Sequence, residues 1–386
     1  MNDKHLQQIF SHYIDKFEML NDNEHQEYYK WQVAKRFHND MDAALNAPIE
    51  EFATRLYDIK KMTAHMIDNY TQPLNGLVEF AKKNDETAET VRTMFKKLYH
   101  EEGGDISDKQ KRIHEFIAKS HELREKHYPD SFLYKNDMHS VTAYLFFYDP
   151  DHNYLFKATN AQVFADCVEF YEDWGSGDTV DIGAYYRMCD MLVEKMKASS
   201  ELMDTDASRF SDGWGVDPGT LYEDPEKHVL AFDLIYCCSG YGLFDGITFS
   251  RPKLKERHLI VEKKEKAKQL YKKLSKSRED YQKLEDAKEY VNSMLVSGVG
   301  IRHKKYGEGI IKKNDGTYIS VEFPSVGVKT VEIVRSVANG IIYLNRIDSS
   351  DGIKEVQALL KNDSMIKSRL SYAEKEFARY SEYMDE

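Results

Sequence analysis

The chain has 386 residues, 41% of them apolar and 31% charged, which is typical of a globular protein with two or three domains and a well-hydrated surface. No apolar run approaches the roughly 20 residues of a membrane-spanning helix, and the N-terminus lacks the apolar core of a signal peptide, so we expect a cytoplasmic protein without membrane contact. The net charge of −12 is unevenly distributed, since residues 1–250 hold 26 basic and 45 acidic side chains. This acidic part repels a phosphate backbone, so we expect any nucleic-acid contact in the C-terminal third.

Residues 1–130 have the pattern of a helical bundle. One group of apolar side chains recurs at intervals of three and four residues, which is typical of a helix packed on one face. The members of this group are Val91, Met94, Phe95, Leu98 and Tyr99. Ser107 and Gln110 have the spacing of a capping box, which predicts a further helix that ends near Tyr128.

Residues 131–250 are predicted to form an α+β domain. Two aromatic runs, at 144–148 and 154–156, flank the sequence Asp-Pro-Asp-His-Asn. This arrangement favours two strands joined by a turn, with a buried helix as the alternative.

The rest of this middle region mixes helices, a loop and an apolar run. Helices are predicted from Asn160 and over residues 181–197. Residues 204–226 are rich in Asp, Gly, Ser and Pro, which predicts a long loop. Residues 228–238 fit either a strand or a buried helix, because their apolar run shows no clear period.

Residues 251–296 are predicted to form one long charged helix with a coiled-coil seam. The seam repeats with alternating spacings of four and three residues. Its members are Leu270, Leu274, Ser277, Tyr281, Leu284, Lys288, Val291 and Leu295. Because two of these are polar, we expect the helix to pack against another helix rather than to form a strong self-dimer. A simple spacer is the alternative.

Residues 297–347 are predicted to form a small barrel. From residue 298 the apolar period changes to two, with short strands separated by glycine-containing turns. The sequence Asn314-Asp315-Gly316 favours a hairpin, because Asp and Gly readily adopt the positive φ angles of tight turns. Four or five strands in so short a segment cannot form two sheets, so they must curl into one barrel. A terminal helix is predicted over residues 348–386.

The barrel segment also carries a distinctive set of residues. They are His303-Lys304-Lys305-Tyr306-Gly307-Glu308-Gly309, Gly316, Val321-Glu322-Phe323 and Gly327-Val328-Lys329. This set resembles the C-terminal Tudor/SH3-like barrel of the UvrD/PcrA helicases. The resemblance implies a barrel that binds RNA polymerase, and it implies a recruitment module rather than an ATPase because the chain has no GxxxxGK[ST] phosphate loop. Related small barrels also bind nucleic acids or other proteins, which leaves the ligand open.

The candidate binding residues lie in this barrel. They are Arg302, Lys304, Lys305, Tyr306, Glu308 and Lys329. Lysine and arginine pair with acidic surfaces or phosphates, and tyrosine supplies a flat apolar face. For His303 and Tyr306, packing under the first turn is the alternative. Gly307, Gly309 and Gly327 are expected to have structural roles.

We predict no catalytic residue, metal ligand or cofactor in the remaining sequence. Carboxylates cluster between residues 169 and 181, where they could bind Mg²⁺, but such clusters arise easily among 66 acidic residues, and a solvated surface is favoured. His114, His121 and His127 lack the i, i+4 spacing of a helical metal site. The four cysteines show no CxxC motif and suit a reducing compartment.

Together these patterns predict a multidomain protein, mostly α with an α+β middle, in which a long charged helix leads to a small all-β barrel and a C-terminal helix. The favoured function is a non-enzymatic bacterial adaptor that docks on RNA polymerase or a nucleic-acid-processing complex through the barrel. One alternative is a metal-dependent nuclease of a defence system, and the segment 144–170 resembles N-terminal regions of McrB-like defence proteins. Another is a structural subunit that assembles through the charged helix. The oligomeric state stays open.

Overall fold

The fold is built mainly from helices, which make up 65% of the computed structural model. The structure describes residues 1–63, 65–68, 70–100, 105–211, 216–344 and 351–384. The chain divides into two units, Met1–His258 and Leu259–Glu386. Within the described ranges no helix is both long and apolar enough to cross a membrane.

In the first unit, helices follow one another along the chain. They are α1 (Asp3–Leu20), α2 (Tyr29–Leu45), α3 (Ile49–Thr63), α4 (Pro73–Ala81), α5 (Asp85–Tyr99), α6 (Ile106–His127), α7 (Met138–Tyr148), α8 (Ala158–Cys167), α9 (Ile182–Lys197), α10 (Ser200–Ser208) and α11 (His228–Gly240). The next helix, α12 (Leu254–Met294), begins in the first unit and continues in the second.

The helix predicted from the apolar stripe is α5, and the stripe is buried except for the half-buried Tyr99. The helix predicted after it is α6, which starts earlier than expected. Asp105 caps it, because its carboxylate accepts the backbone N–H of Asp108 at 2.7 Å. Ser107 is therefore a residue of the first turn rather than the cap.

The prediction of strands in the middle region is wrong. The first aromatic run lies in α7, and the second, Tyr154–Phe156, forms no regular element. Helix α7 is buried on all sides, so its sequence has no polar face and its apolar run looks the same as that of a buried strand. A capping box of Asp137 and Ser140 fixes its start. In residues 131–250 the described part is helical rather than α+β.

The other predictions for this region have mixed outcomes. The 181–197 helix is confirmed as α9, and Asp181 caps it by accepting the Gly183 N–H at 2.8 Å. Asn160 does not cap α8, since the helix already begins at Ala158. The start of the predicted 204–226 loop belongs to α10, and residues 212–215 lie outside the described part. The apolar run from His228 is a buried helix, α11.

The second unit contains a curled, five-stranded antiparallel sheet, which we call the half-barrel. Its strands are β1 (Gly300–His303), β2 (Gly307–Asn314), β3 (Tyr318–Phe323), β4 (Gly327–Glu332) and β5 (Ile342–Leu344), and a short helix, α13 (Ile333–Ala338), precedes β5. The strand order is β4-β3-β2-β1-β5. The predicted strands and the hairpin at Asn314–Gly316 are thus confirmed, whereas residues 345–347 lie outside the described part.

One face of the half-barrel, the inner face, forms a core. Ile301, Ile311, Ile319, Val321 and Phe323 are buried there, in one cluster with residues from the C-terminal half of α12. Position 309 has no room for a side chain, because a Cβ atom there would lie 2.5 Å from Cδ1 of Phe323. Gly307, in contrast, sits in open space at φ +75°, a backbone conformation that favours glycine.

The C-terminal segment forms two helices, α14 (Asp351–Lys361) and α15 (Asp363–Ala378), and α15 packs against α12. The Tyr271 and Phe377 rings lie 5.6 Å apart, and Lys288 Nζ lies 2.5 Å from the Asp363 carboxylate. Because later residues of α12 meet earlier residues of α15, the two helices run antiparallel. The expected packing of the charged helix against another helix is therefore confirmed, and the single C-terminal helix is two helices.

Candidate docking surface on the half-barrel

The face of the half-barrel opposite its core, the outer face, is solvent-exposed. In one cross-strand row, Ile310 of β2 is in register with Glu322 of β3, which is in register with Val328 of β4. In the neighbouring row, Arg302 of β1 lies between Tyr343 of β5 and Glu308 of β2. Residues in direct register on antiparallel strands share a face, so these six side chains form one continuous surface.

This outer face combines exposed apolar side chains with balanced charges. Ile310, Val328 and Tyr343 are 50%, 59% and 49% exposed, which is unusual for side chains of this size on a small domain. Between Ile310 and Val328, the Glu322 carboxylate lies 2.6 Å from Lys312 Nζ. A contiguous exposed apolar patch next to polar side chains is a feature of interaction sites, which makes this face a candidate docking surface.

The structure brings only some of the predicted binding residues together. Arg302 and Glu308 are cross-strand partners on the outer face. Lys304, Lys305 and Tyr306 lie in the β1–β2 turn, beside the same two strands.

Tyr306 and His303 pack under the first turn of the half-barrel, which was the alternative to a binding role for them. The Tyr306 ring stacks on His303 at 4.5 Å and tilts against Phe323 at 5.4 Å, so it is half-buried on the core side. The Lys305 ammonium covers it at 5.5 Å from the ring centroid. Tyr306 is therefore engaged in the fold, and Lys304 and Lys305 remain the exposed groups of this turn.

His303 holds the turn through its ring. Its Nδ1 accepts the backbone N–H of Lys305 at 3.0 Å and of Tyr306 at 3.3 Å. A nitrogen that accepts hydrogen bonds cannot carry a proton, so the turn requires this atom to be unprotonated. Burial and the nearby Lys305 lower the pKa of His303, which favours the same neutral form.

Lys329 lies apart from the other predicted residues. It is in register with Val321, whose side chain belongs to the core, and it stays exposed because β4 is an edge strand of the sheet. Three strand spacings, about 14 Å, separate β4 from β1. Lys329 therefore belongs to the β4 edge rather than to a site with Arg302.

The sequence analysis missed Ile310, Val328 and Tyr343. A signal for the first was present, because Ile310 and Ile311 are adjacent in a strand, and successive side chains of a strand point to opposite faces. With one isoleucine in the core, the other must face outward.

The carboxylate cluster of the first unit does not converge on one point. Glu172 pairs with Arg187, and Asp173 lies 3.1 Å from His258 and accepts the Gly175 N–H. Asp181 caps α9. Among the residues that the structure describes, no three His, Cys, Asp or Glu side chains are placed to hold a metal ion.

A buried network of charged side chains lies inside the first unit. Lys30 contacts the carboxylates of Glu27 and Asp233, and Tyr13 donates to Asp233 at 2.6 Å. Arg209 continues the network by donating to the Tyr13 hydroxyl at 2.9 Å. Burial alone would lower the pKa of Lys30, but the Asp233 carboxylate raises it well above its usual value, so the ammonium stays charged.

The network is balanced in charge and largely buried. Arg209 also lies 3.5 Å from Asp206, which in turn pairs with Lys227 at 2.9 Å. The network thus holds three cations and three carboxylates, and five of these six groups are buried. Because its groups satisfy one another away from solvent, we interpret it as structural.

An open groove of about 720 Å³ runs between α5 and α6. Met94, Leu98 and Phe116 form its apolar part. Its rim carries glutamates and lysines that pair along the helix surface, such as Lys119 with Glu122 at 2.6 Å. The rim therefore has no strong preference for a ligand of one charge.

Comparisons of the chain with protein-family models, curated protein sequences and solved structures give no match. The resemblance to the helicase barrel and to the defence proteins therefore stays a prediction.

Proposed function

We propose that this chain is an adaptor that docks on a protein partner through the outer face of its half-barrel. The observation that carries the proposal is the exposed row of Ile310, Glu322 and Val328, continued by Arg302 and Tyr343. Solvent contact with these apolar side chains is unfavourable, and covering them with a partner removes that cost.

The charge of the outer face favours a protein over a nucleic acid as the partner. Arg302 and Lys312 are offset by Glu308 and Glu322, and Lys312 is already bound to Glu322. A phosphate backbone requires a surplus of cations, which this face lacks. Tyrosine and arginine, represented here by Tyr343 and Arg302, are instead enriched at protein interfaces.

RNA polymerase is the first partner to test. It follows from the resemblance of the β1–β2 turn and the β3–β4 region to the UvrD/PcrA barrel. In this proposal Lys304 and Lys305 lie at the rim of the interface, where charges guide the approach of a partner more than they hold it. The apolar row supplies the stable contact.

The test uses the full chain and purified bacterial RNA polymerase in a surface-binding assay. We expect Ile310→Glu/Val328→Glu to weaken binding at least tenfold, since it places two carboxylates beside Glu322 at the centre of the face. Lys304→Ala/Lys305→Ala should weaken binding less and mainly slow association.

The matched control is Met365→Glu/Tyr372→Glu on α15, which changes two exposed apolar residues elsewhere in the second unit. It should bind like the unaltered chain. Equal binding by the outer-face variant would contradict the docking surface. No binding by the unaltered chain would reject the polymerase, and nuclease-treated affinity capture compared between the two variants would then test for another protein.

A further inference from the structure

A second surface, in the first unit, brings lysines and exposed aromatic rings together. Lys60 and Lys61 lie in the last turn of α3, while Lys82 and Lys83 follow the end of α4. The ammonium groups of Lys60, Lys61 and Lys82 lie 5.9, 5.0 and 5.3 Å from the ring centroid of Tyr57. Three cations thus surround one partly exposed ring in a part of the chain that is strongly acidic overall.

The second half of this surface is a pair of aromatic rings. Tyr70 and Phe132 are 78% and 64% exposed, and their ring centroids are 5.8 Å apart. Large apolar rings with this exposure are rare on a soluble domain. Their mutual contact leaves most of both rings open to a ligand.

The two halves are connected through contacts of Tyr128 and Tyr134. Lys83 Nζ lies 4.5 Å from the Tyr128 ring centroid, and the Tyr128 and Tyr134 rings are 5.1 Å apart. The Tyr134 N–H donates to the carbonyl of Thr71, next to Tyr70, at 2.5 Å. The lysines and the ring pair therefore belong to one continuous surface, which we call the lysine–aromatic surface.

The charge of this surface is positive. Lys61 pairs with Asp58 at 2.7 Å, Lys82 pairs with Glu79 at 2.8 Å, and Lys60 interacts electrostatically with Asp68, so four ammonium groups face three carboxylates. The pKa of His127, beside Tyr128, is lowered by burial and then by Lys126 and Lys83, as expected in a positive local field. Lysines at the ends of helices also complement the helix dipole, but that effect does not account for the exposed rings.

We propose that the lysine–aromatic surface binds single-stranded nucleic acid. The lysines would contact phosphates, and Tyr70 and Phe132 would stack on bases, which is how proteins bind single strands without sequence preference. A duplex keeps its bases stacked inside and cannot use the rings, and an acidic peptide would use only the lysines. The acidic surface of the rest of the unit repels a polyanion and so confines it to this place.

The test measures fluorescence anisotropy of labelled dT20 and rU20 with the full chain between 50 and 200 mM salt. With four phosphate contacts the logarithmic salt slope should be about −2.8, which corresponds to a loss of about 50-fold in affinity across this range. Tighter binding of dT20 than of rU20 would assign the surface to DNA, and the reverse order would assign it to RNA.

Two variants separate the contributions of charge and stacking. Lys82→Gln/Lys83→Gln should halve the salt slope to about −1.4. Tyr70→Ala/Phe132→Ala should lower affinity at least fivefold with the slope unchanged, because stacking does not release counterions. The control, Lys195→Gln/Lys197→Gln on α9, removes two exposed and paired lysines elsewhere in the unit and should bind normally.

Several results would overturn the proposal. These are the absence of saturable binding, equal affinity for a duplex, full competition by polyglutamate, or a normal salt slope in the Lys82/Lys83 variant. Because these lysines are exposed, that variant should fold, which circular dichroism checks. The Ile310→Glu/Val328→Glu variant should bind nucleic acid normally, so failure here is distinguishable from failure of the docking surface.

Discussion

The interior of the first unit and the outer face of the half-barrel use charge and apolar surface in opposite ways. The first unit buries Lys30, Arg209 and their carboxylates, and pairs them completely. The half-barrel leaves Ile310 and Val328 in solvent around a charge pair. Both arrangements are unfavourable without a partner. A buried charge needs an opposite charge beside it, and an exposed apolar patch needs another surface to cover it. In the first unit the partners are internal, whereas the half-barrel lacks them, which is why we look for binding there.

The largest expected effect comes from breaking the buried network. Lys30→Met leaves the Asp233 carboxylate buried without its cation, and we expect the free energy of unfolding to fall by about 3–5 kcal/mol. Urea denaturation followed by tryptophan fluorescence measures this, because Trp31 and Trp174 are buried in the first unit and the sequence has no tryptophan after residue 214. Lys119→Met, which removes an exposed pair, should cost less than about 1 kcal/mol. An equal loss of unfolding free energy in both variants would mean that the buried network does not stabilise the first unit more than an exposed ion pair does.

The next effect concerns the core of the half-barrel. Gly309→Ala puts a methyl group 2.5 Å from the Phe323 ring, and the resulting overpacking should cost about 1–3 kcal/mol. Hydrogen exchange of peptides from β2 and β3 reports on this unit directly. Gly316→Ala, which meets no atom within 4 Å but has φ +90°, should cost about 1 kcal/mol through backbone strain. A larger loss for the Gly316 variant would contradict the crowding at position 309.

A smaller effect is a pH dependence of the β1–β2 turn. The pKa of His303 is lowered in the folded state, so below about pH 6.5 the unfolded chain binds more protons than the folded one. Stability of the turn should therefore be complete above that pH and fall as the pH decreases. Protection of the Lys305 and Tyr306 amides, corrected for intrinsic exchange, should drop between pH 7.5 and 5.5. His303→Asn keeps an acceptor without a titrating ring and should show no such drop; a drop of the same size would assign it to another group.

The smallest effect is expected for stability when the outer face is changed. Ile310→Thr/Val328→Thr should alter the free energy of unfolding by no more than about 0.5 kcal/mol, because neither side chain contributes to the core. Hydrogen exchange of β2–β4 measures it. A loss above 1 kcal/mol would show that these residues stabilise the half-barrel itself, and the contrast with the interior of the first unit would then disappear.

The sequence predicts the half-barrel better than the first unit for a physical reason. In β1, β2 and β3 one face packs in the core and the other contacts solvent, so the buried Ile319, Val321 and Phe323 alternate with more exposed residues and reveal the period. Helix α7 is buried on every side, so its sequence shows no alternation of apolar and polar residues. Only its capping box distinguishes it from a buried strand. The seam of α12 predicts that a helix covers it but not which one.

The candidate surfaces were only partly predictable. Arg302 and Glu308 were identified from their type and position, but their joining with Tyr343 depends on the pairing of β5 with β1, which spacing along the chain does not reveal. The lysine–aromatic surface joins the ends of α3, α4 and α6, which are distant in sequence. The net charge of residues 1–250 is an average over the whole segment and does not reveal these clustered lysines, so the expectation from sequence for nucleic-acid contact stays with the C-terminal third.

The antiparallel pairing of α12 with the C-terminal segment has a consequence for how the second unit can be handled. Lys263 Nζ donates to the Tyr383 hydroxyl at 2.8 Å and also lies 4.7 Å from the centroid of that ring. The start and the end of this segment are therefore near each other, within the reach of these two side chains. Because chain ends that lie near each other make domain insertion tolerable, we expect a segment that begins near Lys263 and ends near Tyr383 to be accepted in a surface turn of a host protein.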